Sequence, residues 1–248
     1  MRKENDELKK LQAAKEYLSK AYYDKEYGNV TLDIKQVKEI EHIARSNRNS
    51  WMLHDIGYLY LYGNGIESDK EKAVRLYHES FLMGCSKAAT SLGMCYYKGY
   101  GVKENKKLAF YHFTKASLTD EPLSKVFLAD MVFKGEMAKK DEQFAGYIYK
   151  RMFDMAFNDE DKKEDEVCII ASCALRLARC FLYAQGQHED IDEAEFYIGI
   201  AKYYFRALEG RIDPLSINGL QEALLLEKEA QEKRTNIEEV PVPSVLLS

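Results

Sequence analysis

The sequence predicts an all-α fold, an α-solenoid of about five helical hairpins that ends in a C-terminal capping helix. Three observations predict it. A small residue recurs in the first helix of each hairpin, a second small residue recurs in its partner helix, and a helix-capping residue precedes each partner helix. Such hairpins stack, because one hairpin cannot bury its apolar face alone.

The small residues define the repeat and its period. Those of the first helices are Ala21, Gly57, Gly93, Ala129 and Ala178, and those of the second helices are Val37, Ala73, Ala109, Ala145 and Ala194. Within each hairpin the two stand 16 residues apart (73 − 57). Successive hairpins are offset by 36 residues (93 − 57), except the last, which is offset by 49 (178 − 129). The hairpin is therefore constant, and only the last connection is longer.

The start of each second helix is predicted by an N-cap residue. Four residues before the small marker stand Asp33, Asp69, Asn105, Asp141 and Asp190, whose side chains can accept from an amide of the first helical turn. The preceding turns contain Gly63, Gly99 and Gly135, which tolerate left-handed backbone angles at a helix C-terminus. Ala184 takes this place in the fifth hairpin and Tyr27 in the first, so we expect those turns to differ.

In chain order, the expected helices cover residues 3–27 and 34–46, 51–62 and 70–83, 87–98 and 106–118, 122–134 and 142–157, and 167–184 and 191–209. A last helix from Pro214 to about Arg234 has no repeat partner and is expected to cap the array. We therefore divide the chain into a degenerate N-terminal repeat (1–50), core repeats (51–158), a divergent repeat after a charged insertion (159–210), the capping helix (211–235) and an extended tail (236–248).

The composition disfavours several classes of protein. The 248 residues carry a net charge of −5, which is unsuited to a general nucleic-acid binder. No apolar run approaches the ~20 residues of a membrane-spanning helix, and the N-terminus MRKENDELKK lacks the apolar core of a signal peptide. Five irregularly spaced cysteines suit thiols in a reducing compartment. We expect a cytoplasmic protein with no nucleic-acid or membrane partner.

The sequence also lacks the common catalytic motifs. It contains no HExxH, no paired CxxC, no phosphate-binding glycine loop and no GxSxG. The five histidines are scattered, although His78 and His112 lie near equivalent repeat positions. Cys173 and Cys180 are seven residues apart (180 − 173) and are better explained as core thiols than as ligands. We expect no enzyme activity, no cofactor and no metal.

The segment SLGMCYYKGYGVKENKKLAFYHFTKAS (91–117) resembles a Sel1-like repeat, whose usual form is A-x-x-L-G-x-x-Y-x-x-G-x-G-V, a capped second helix and A-x-x-W-Y-x-K-A-A. The segment from Ile56 to Gly84 is similar, the fourth and fifth units are degraded, and the first keeps only the spacing. The matching residues of the best unit are Ala89, Leu92, Gly93, Tyr96, Gly99, Gly101, Val102, Ala109, Phe113, Lys115 and Ala116. The resemblance implies a right-handed α-solenoid related to tetratricopeptide repeats, and a role as an adaptor that holds other proteins.

In solenoids of this type the first helices line a concave face. We expect the exposed side of each helix to lie three residues before, one after and four after the small marker. The candidate peptide- or protein-binding residues are Tyr22, His54, Tyr58, Leu61, Thr90, Met94, Tyr97, Asp130, Phe133 and Arg179. A groove rich in aromatic and methionine side chains suits an extended peptide or an amphipathic helix. The alternative is that the superhelix buries several of these side chains.

Two further features keep alternatives open. Trp51, the only tryptophan, either anchors a partner or fastens its helix to the first repeat. The tail EEVPVPSVLLS suits an extended conformation. It is a frayed terminus, the occupant of a groove in its own or a neighbouring chain, or a docking motif for another protein.

The sequence thus predicts a non-catalytic scaffold or adaptor that binds a protein or peptide segment along its concave face. One rival hypothesis is a dedicated inhibitor or immunity-type partner of a single protein, whose acidic surface, including residues 159–166, faces a basic target. A second rival is a hydrolase or small-ligand receptor with an unrecognised site between repeats. The sequence does not predict the oligomeric state.

Overall fold

The computed structural model describes residues 9, 11–19, 32–119, 121–159, 164–208 and 214–238, which form helices joined by short turns, with no strand among them. The helices are α1 (11–19), α2 (Ile34–Ser46), α3 (Ser50–Tyr62), α4 (Lys70–Leu82), α5 (Ser86–Lys98), α6 (Lys106–Ser117), α7 (Pro122–Phe133), α8 (Glu142–Phe157), α9 (Glu164–Leu182), α10 (Ile191–Ala207) and α11 (Pro214–Glu238). The predicted all-α class is confirmed, and the predicted bounds of α2 to α8 agree to within one residue. None of the described helices is long and apolar enough to cross a membrane.

The five predicted N-caps are confirmed. In every second helix the capping side chain accepts a hydrogen bond from a backbone amide two or three residues further on, with N–O distances of 2.8 to 3.1 Å. The capping residues are Asp33, Asp69, Asn105, Asp141 and Asp190. Each such bond is typically worth about 1 kcal/mol, so the caps fix where the second helices begin.

The turns between paired helices use left-handed backbone angles. Gly63, Gly99 and Gly135 have φ values of 69°, 71° and 71°, as predicted. Ala184 adopts the same conformation, with φ of 53°, so the expectation that the fifth turn would differ is wrong. An L-residue other than glycine adopts this geometry at a cost of about 1 kcal/mol. Tyr27 and the first turn lie outside the described residues.

The small residues of the first helices receive an aromatic ring from the second helix. A Cβ atom added at Gly57 would lie 2.7 Å from Cε1 of Tyr77, and one added at Gly93 would lie 2.4 Å from Cε1 of Phe113. Both rings are fully buried. The glycine column therefore exists because the ring of the partner helix occupies the space that a side chain would fill.

The chain divides into two compact units, and the first extends to Met131. Ion pairs join its α2 and α4. Glu41 is bonded to Arg45 on its own helix at 2.6 Å and to Lys72 of α4 at 2.9 Å, while Arg45 also pairs with Glu79 at 2.7 Å. Burial acts to raise the pKa of Glu41, but the hydrogen bonds and charges of Lys72 and Arg45 outweigh it, so that the pKa is lowered.

The second unit begins at Val132, and its helix α11 packs against α9 and α10. This is the helix predicted to cap the array, and it extends to Glu238. Among the side chains of α11 that the structure describes, Ala223, Leu226 and Ala230 are buried. Gly219 lies against the Phe205 ring of α10, where an added Cβ would come within 2.3 Å. Arg234 binds Asp192 at 2.5 Å and Glu195 at 2.9 Å, so that ion pairs also fasten α11 to the start of α10.

Candidate partner-binding surface

Helix α3 is open to solvent along a single stripe. Of its residues 51–62, eight are buried. The others are Trp51, Asp55, Tyr58 and Tyr62, which are exposed or half-buried. Steps of four, three and four residues place these four on one side of the helix. The rings of Tyr58 and Tyr62 lie 4.5 Å apart between centroids, so the stripe is largely aromatic and carries one carboxylate.

Helix α5 repeats this stripe in the next hairpin. Lys87, Ser91 and Met94 stand 36 positions after three of the α3 residues, and all are half-buried, as is Tyr97. The ammonium group of Lys87 lies 5.5 Å from the centroid of the Trp51 ring, within the range of a cation–π contact. The two stripes are therefore adjacent. We call these residues the α3–α5 surface and include Tyr97, which lies about 60° around α5 from Met94, so that the surface consists of Trp51, Asp55, Tyr58, Tyr62, Lys87, Ser91, Met94 and Tyr97.

A cleft of about 220 Å³ lies at the Trp51 end of this surface. Its walls come from Lys15, Leu18 and Ser19 of α1, from Asn49 and from the first two turns of α3. The Trp51 side chain is 51% exposed. It therefore lines the cleft instead of filling it, and its ring remains available on the surface.

Three of the predicted contact residues are buried, which corrects their expected exposure. His54, Leu61 and Thr90 are each 5% exposed. On a helix that turns about 100° per residue, positions three before and four after the marker lie about 60° and 40° from it. The marker Gly57 faces Tyr77 of α4, so side chains that close to it are enclosed between helices. The open stripe lies about 100–160° from the marker, and Tyr97 is the exception, since it is half-buried although it stands four residues after Gly93.

Although it is buried, His54 contacts two residues of the α3–α5 surface. Its Nδ1 lies 3.1 Å from Oδ1 of Asp55, and its Nε2 lies 3.1 Å from the hydroxyl of Ser91. One buried imidazole thus holds a carboxylate of α3 and a hydroxyl of α5 in fixed positions. Sequence reasoning missed Asp55, Tyr62, Lys87 and Ser91. Plotting α3 and α5 on a helical wheel, with the marker turned toward its partner helix, would have found them.

The remaining predicted residues do not join this surface in the described structure. Asp130 and Phe133 are half-buried, the first at the end of one unit and the second in the other. Arg179 forms an ion pair with Glu222 of α11, so its guanidinium is engaged by the capping helix. Tyr22 lies outside the described residues. Of the ten predicted positions, Tyr58, Met94 and Tyr97 are the ones brought together.

A cluster of aromatic and histidine side chains lies between α4, α5 and α6. The ring of His112 stacks on Tyr96, with centroids 5.5 Å apart, and Nε2 of His78 lies 3.2 Å from the Tyr96 hydroxyl. Burial, with a smaller contribution from His78, lowers the pKa of His112 to about 4. The ring stacking and the lowered pKa both indicate that His112 is a neutral histidine of the core. No group of three or more metal-ligating side chains capable of holding an ion occurs among the described residues.

Helical hairpins with capped second helices and rings seated on small residues define a solenoid-type repeat protein. A sequence profile of the Sel1 repeat matches residues 52–85, 86–118, 122–156 and 171–207, which is more than half of the chain. The chain belongs to the Sel1 repeat family, as the resemblance of residues 91–117 predicted. Proteins of this family are generally scaffolds for protein–protein interaction.

Among solved structures, the chain is similar to c5321, a protective antigen present in uropathogenic Escherichia coli strains that displays an SLR fold. The TM-score is 0.53 at 18% identity, over 81% of this chain and 42% of that one. A Sel1 repeat protein from Oxalobacter formigenes is also similar, with a TM-score of 0.45 and 21% identity over 79% of this chain and 92% of that one. The first comparison shows the fold alone, and this chain spans less than half of that protein's length. No curated protein matches the chain.

Proposed function

We propose that this protein is a non-catalytic scaffold that binds a segment of another protein on the α3–α5 surface. The observation that supports the proposal is the row of large, partly exposed side chains on two helices that bury most of their other apolar side chains. Trp51 is half exposed, and Tyr58, Tyr62, Met94 and Tyr97 are half-buried on the same two helices. Tryptophan and tyrosine are enriched among residues that carry binding energy.

The chemistry of the surface favours an apolar segment with polar groups at defined points. Asp55 and Ser91 offer an acceptor and a hydroxyl whose positions are fixed by His54. Fixed groups lose less conformational entropy on binding than mobile ones. The cleft beside Trp51 has room for a side chain of the bound segment, and the aromatic rings supply the neighbouring apolar contact.

Peptides that bind can be selected from a random-peptide display library with the full chain as bait. Their affinity is then measured by fluorescence anisotropy for the wild type and for the triple variant Tyr58→Ala, Met94→Ala, Tyr97→Ala. We expect a loss of at least about tenfold, equivalent to ~1.4 kcal/mol, because hot-spot side chains typically contribute that much or more. Tyr111→Ala is the control, because Tyr111 is 47% exposed on α6 and lies outside the surface.

Equal binding by the triple variant and the control would refute the proposed site. Circular dichroism must show unchanged helical content in both variants, so that unfolding is not mistaken for lost binding.

We further propose that this binding takes place in the cytoplasm. Recovery of the endogenous protein in a secreted or membrane fraction would contradict that location.

A further inference from the structure

The outer side of α10 carries two exposed aromatic rings with a gap between them. Phe196 is 57% exposed and Tyr203 is 70% exposed. Gly199 stands three residues after the first ring and four before the second, so all three lie on one side of the helix. Gly199 is itself exposed, and a Cβ atom added there would meet no atom of the described residues within 4 Å. The two rings are the ends of a shallow groove, which we call the α10 groove.

The exposed area of the α10 groove suits a short segment better than a folded partner. With roughly 200 Å² for each large aromatic side chain, Phe196 and Tyr203 expose about 250 Å². A standard protein–protein interface buries about 800 Å² on each partner. A single extended segment covers a narrow stripe along one helix, and aromatic-lined grooves bind proline-containing segments in this conformation.

The charges beside the groove favour an uncharged occupant. Lys150 of α8 forms an ion pair with Asp154 at 2.5 Å and a hydrogen bond with the hydroxyl of Tyr197, the residue after Phe196. This pair lies between α10 and the exposed apolar side chains of α8. Because both signs of charge are present and already paired, a charged occupant would gain little, whereas an uncharged segment leaves the pair intact.

Helix α11 ends beside the α10 groove. Its residue Arg234 forms an ion pair with Asp192 at 2.5 Å, and Asp192 stands one turn before Phe196 on the same side of α10. Helix α11 continues for one more turn, to Glu238. The chain therefore leaves its last helix close to the Phe196 end of the groove.

The segment that follows, EVPVPSVLLS (239–248), has the length and the composition to fill the groove. It lies outside the described residues. Ten residues in an extended conformation span ~31 Å, whereas α10 rises only ~17 Å from Asp192 to Tyr203. After Glu239 the segment contains no charged side chain, and it carries two prolines and five valine and leucine residues. Such a composition favours an extended conformation and apolar contacts.

We propose that residues 239–248 fold back along α10 and occupy the α10 groove of their own chain. The prolines pack against the rings of Phe196 and Tyr203, and the Tyr203 hydroxyl donates to a backbone carbonyl, since carbonyls have no internal partner in an extended segment. The connection through α11 gives the segment an effective concentration on the order of millimolar at the groove. The α10 groove belongs to the second unit, and the proposal is independent of binding on the α3–α5 surface.

A fluorescent peptide with the sequence of residues 239–248 tests the proposal. Its affinity is measured by fluorescence anisotropy for the full chain and for a chain that ends at Glu238. We expect the shortened chain to bind the peptide with a Kd below about 1 mM, because a weaker tail would not stay bound at a millimolar effective concentration. The full chain should bind the peptide severalfold more weakly, about tenfold at a Kd near 0.1 mM, because its own tail competes.

Variants of the shortened chain locate the bound peptide. Gly199→Gln fills the groove and should weaken binding severalfold, as should Phe196→Ala, which removes one wall. Tyr111→Ala is the matched control, because Tyr111 occupies the position equivalent to Phe196 in the third hairpin and is 47% exposed. This control should bind the peptide like the parent chain. The triple variant of the α3–α5 surface should also bind it unchanged, so that failure of one proposed site is distinguishable from failure of the other.

A shortened chain that does not bind the peptide at 1 mM overturns the proposal, as does equal binding by Gly199→Gln and Tyr111→Ala. Equal binding by the full and shortened chains also overturns it. Sedimentation velocity tests the assignment to a single chain, because a full chain that dimerises when the shortened chain is monomeric would place the tail on a neighbouring copy.

Amide hydrogen exchange gives a second measurement on the full chain, without shortening it. Residues 239–248 should exchange more slowly in the wild type than in Gly199→Gln, because the variant releases the segment from the groove. Equal exchange in the two proteins would contradict the proposal. Unchanged circular dichroism spectra show that each variant is folded.

Discussion

Replacing Gly93 by alanine should destabilise the fold, although alanine is the better helix former. The added Cβ would lie 2.4 Å from the Phe113 ring, which is 1% exposed and has no space to withdraw into. Overpacking of this kind typically costs about 1–3 kcal/mol. The gain in helix propensity offsets roughly 1 kcal/mol of that cost. The change in the free energy of unfolding therefore combines two opposing contributions and does not by itself give the steric cost.

Gly199→Ala provides the reference that removes this ambiguity. Gly199 lies within α10, and a Cβ there would meet no atom within 4 Å. It should stabilise the protein by about 0.5–1 kcal/mol, and the difference between the two variants isolates the steric cost. At about 2–4 °C per kcal/mol, we expect the Tm of Gly93→Ala to lie on the order of 2–12 °C below that of Gly199→Ala. Thermal unfolding is followed by circular dichroism at low protein concentration, and equal Tm values would refute the ring-on-glycine account.

Three further predictions concern a turn, an ion pair and a cap. Ala184→Gly should raise the free energy of unfolding by about 0.5–1 kcal/mol, since glycine adopts the left-handed angle without strain; a lower Tm would contradict this. Glu41→Gln should destabilise by about 1–2 kcal/mol at pH 7. Because the pKa of Glu41 is lowered in the folded state, its contribution is complete above the ordinary carboxyl pKa of about 4.3 and is lost as the pH falls through the lowered value. The Tm difference between wild type and Glu41→Gln should therefore shrink on acidification, and a constant difference down to pH ~3 would contradict the assignment. Asp69→Ala should cost about 1 kcal/mol, measured by urea unfolding, whereas Asp69→Asn should cost much less because it retains a capping oxygen.

The sequence was sufficient where local chemistry decides the structure. A cap such as Asp69 acts within its own first turn, and a turn glycine such as Gly63 needs no distant partner, so both could be predicted from spacing. The ring contact at Gly93 was only half predicted. The need for a small residue was clear, but the occupant of the space, Phe113, was not.

Solvent exposure could be derived only in part, because beyond the direction of the small marker it depends on what packs from neighbouring hairpins and from α11. His54 has the spacing of an exposed residue but is enclosed, and it serves to hold Asp55 and Ser91. Arg179 occupies a position equivalent to Tyr58, yet it pairs with Glu222. That partner belongs to a helix outside the repeat pattern, so no comparison among repeats could reveal it.

The contact between Gly219 and the Phe205 ring gives α11 the same interlocking device that joins the helices within a hairpin. Helix α11 thus packs on the last repeat as the first helix of a further repeat would, although its own sequence lacks the repeat pattern. An engineer who wished to lengthen this protein would have to insert new hairpins ahead of Pro214 and give the last of them an aromatic residue corresponding to Phe205. Transplanted with that residue, α11 would serve as a ready-made stop for artificial arrays of the same family.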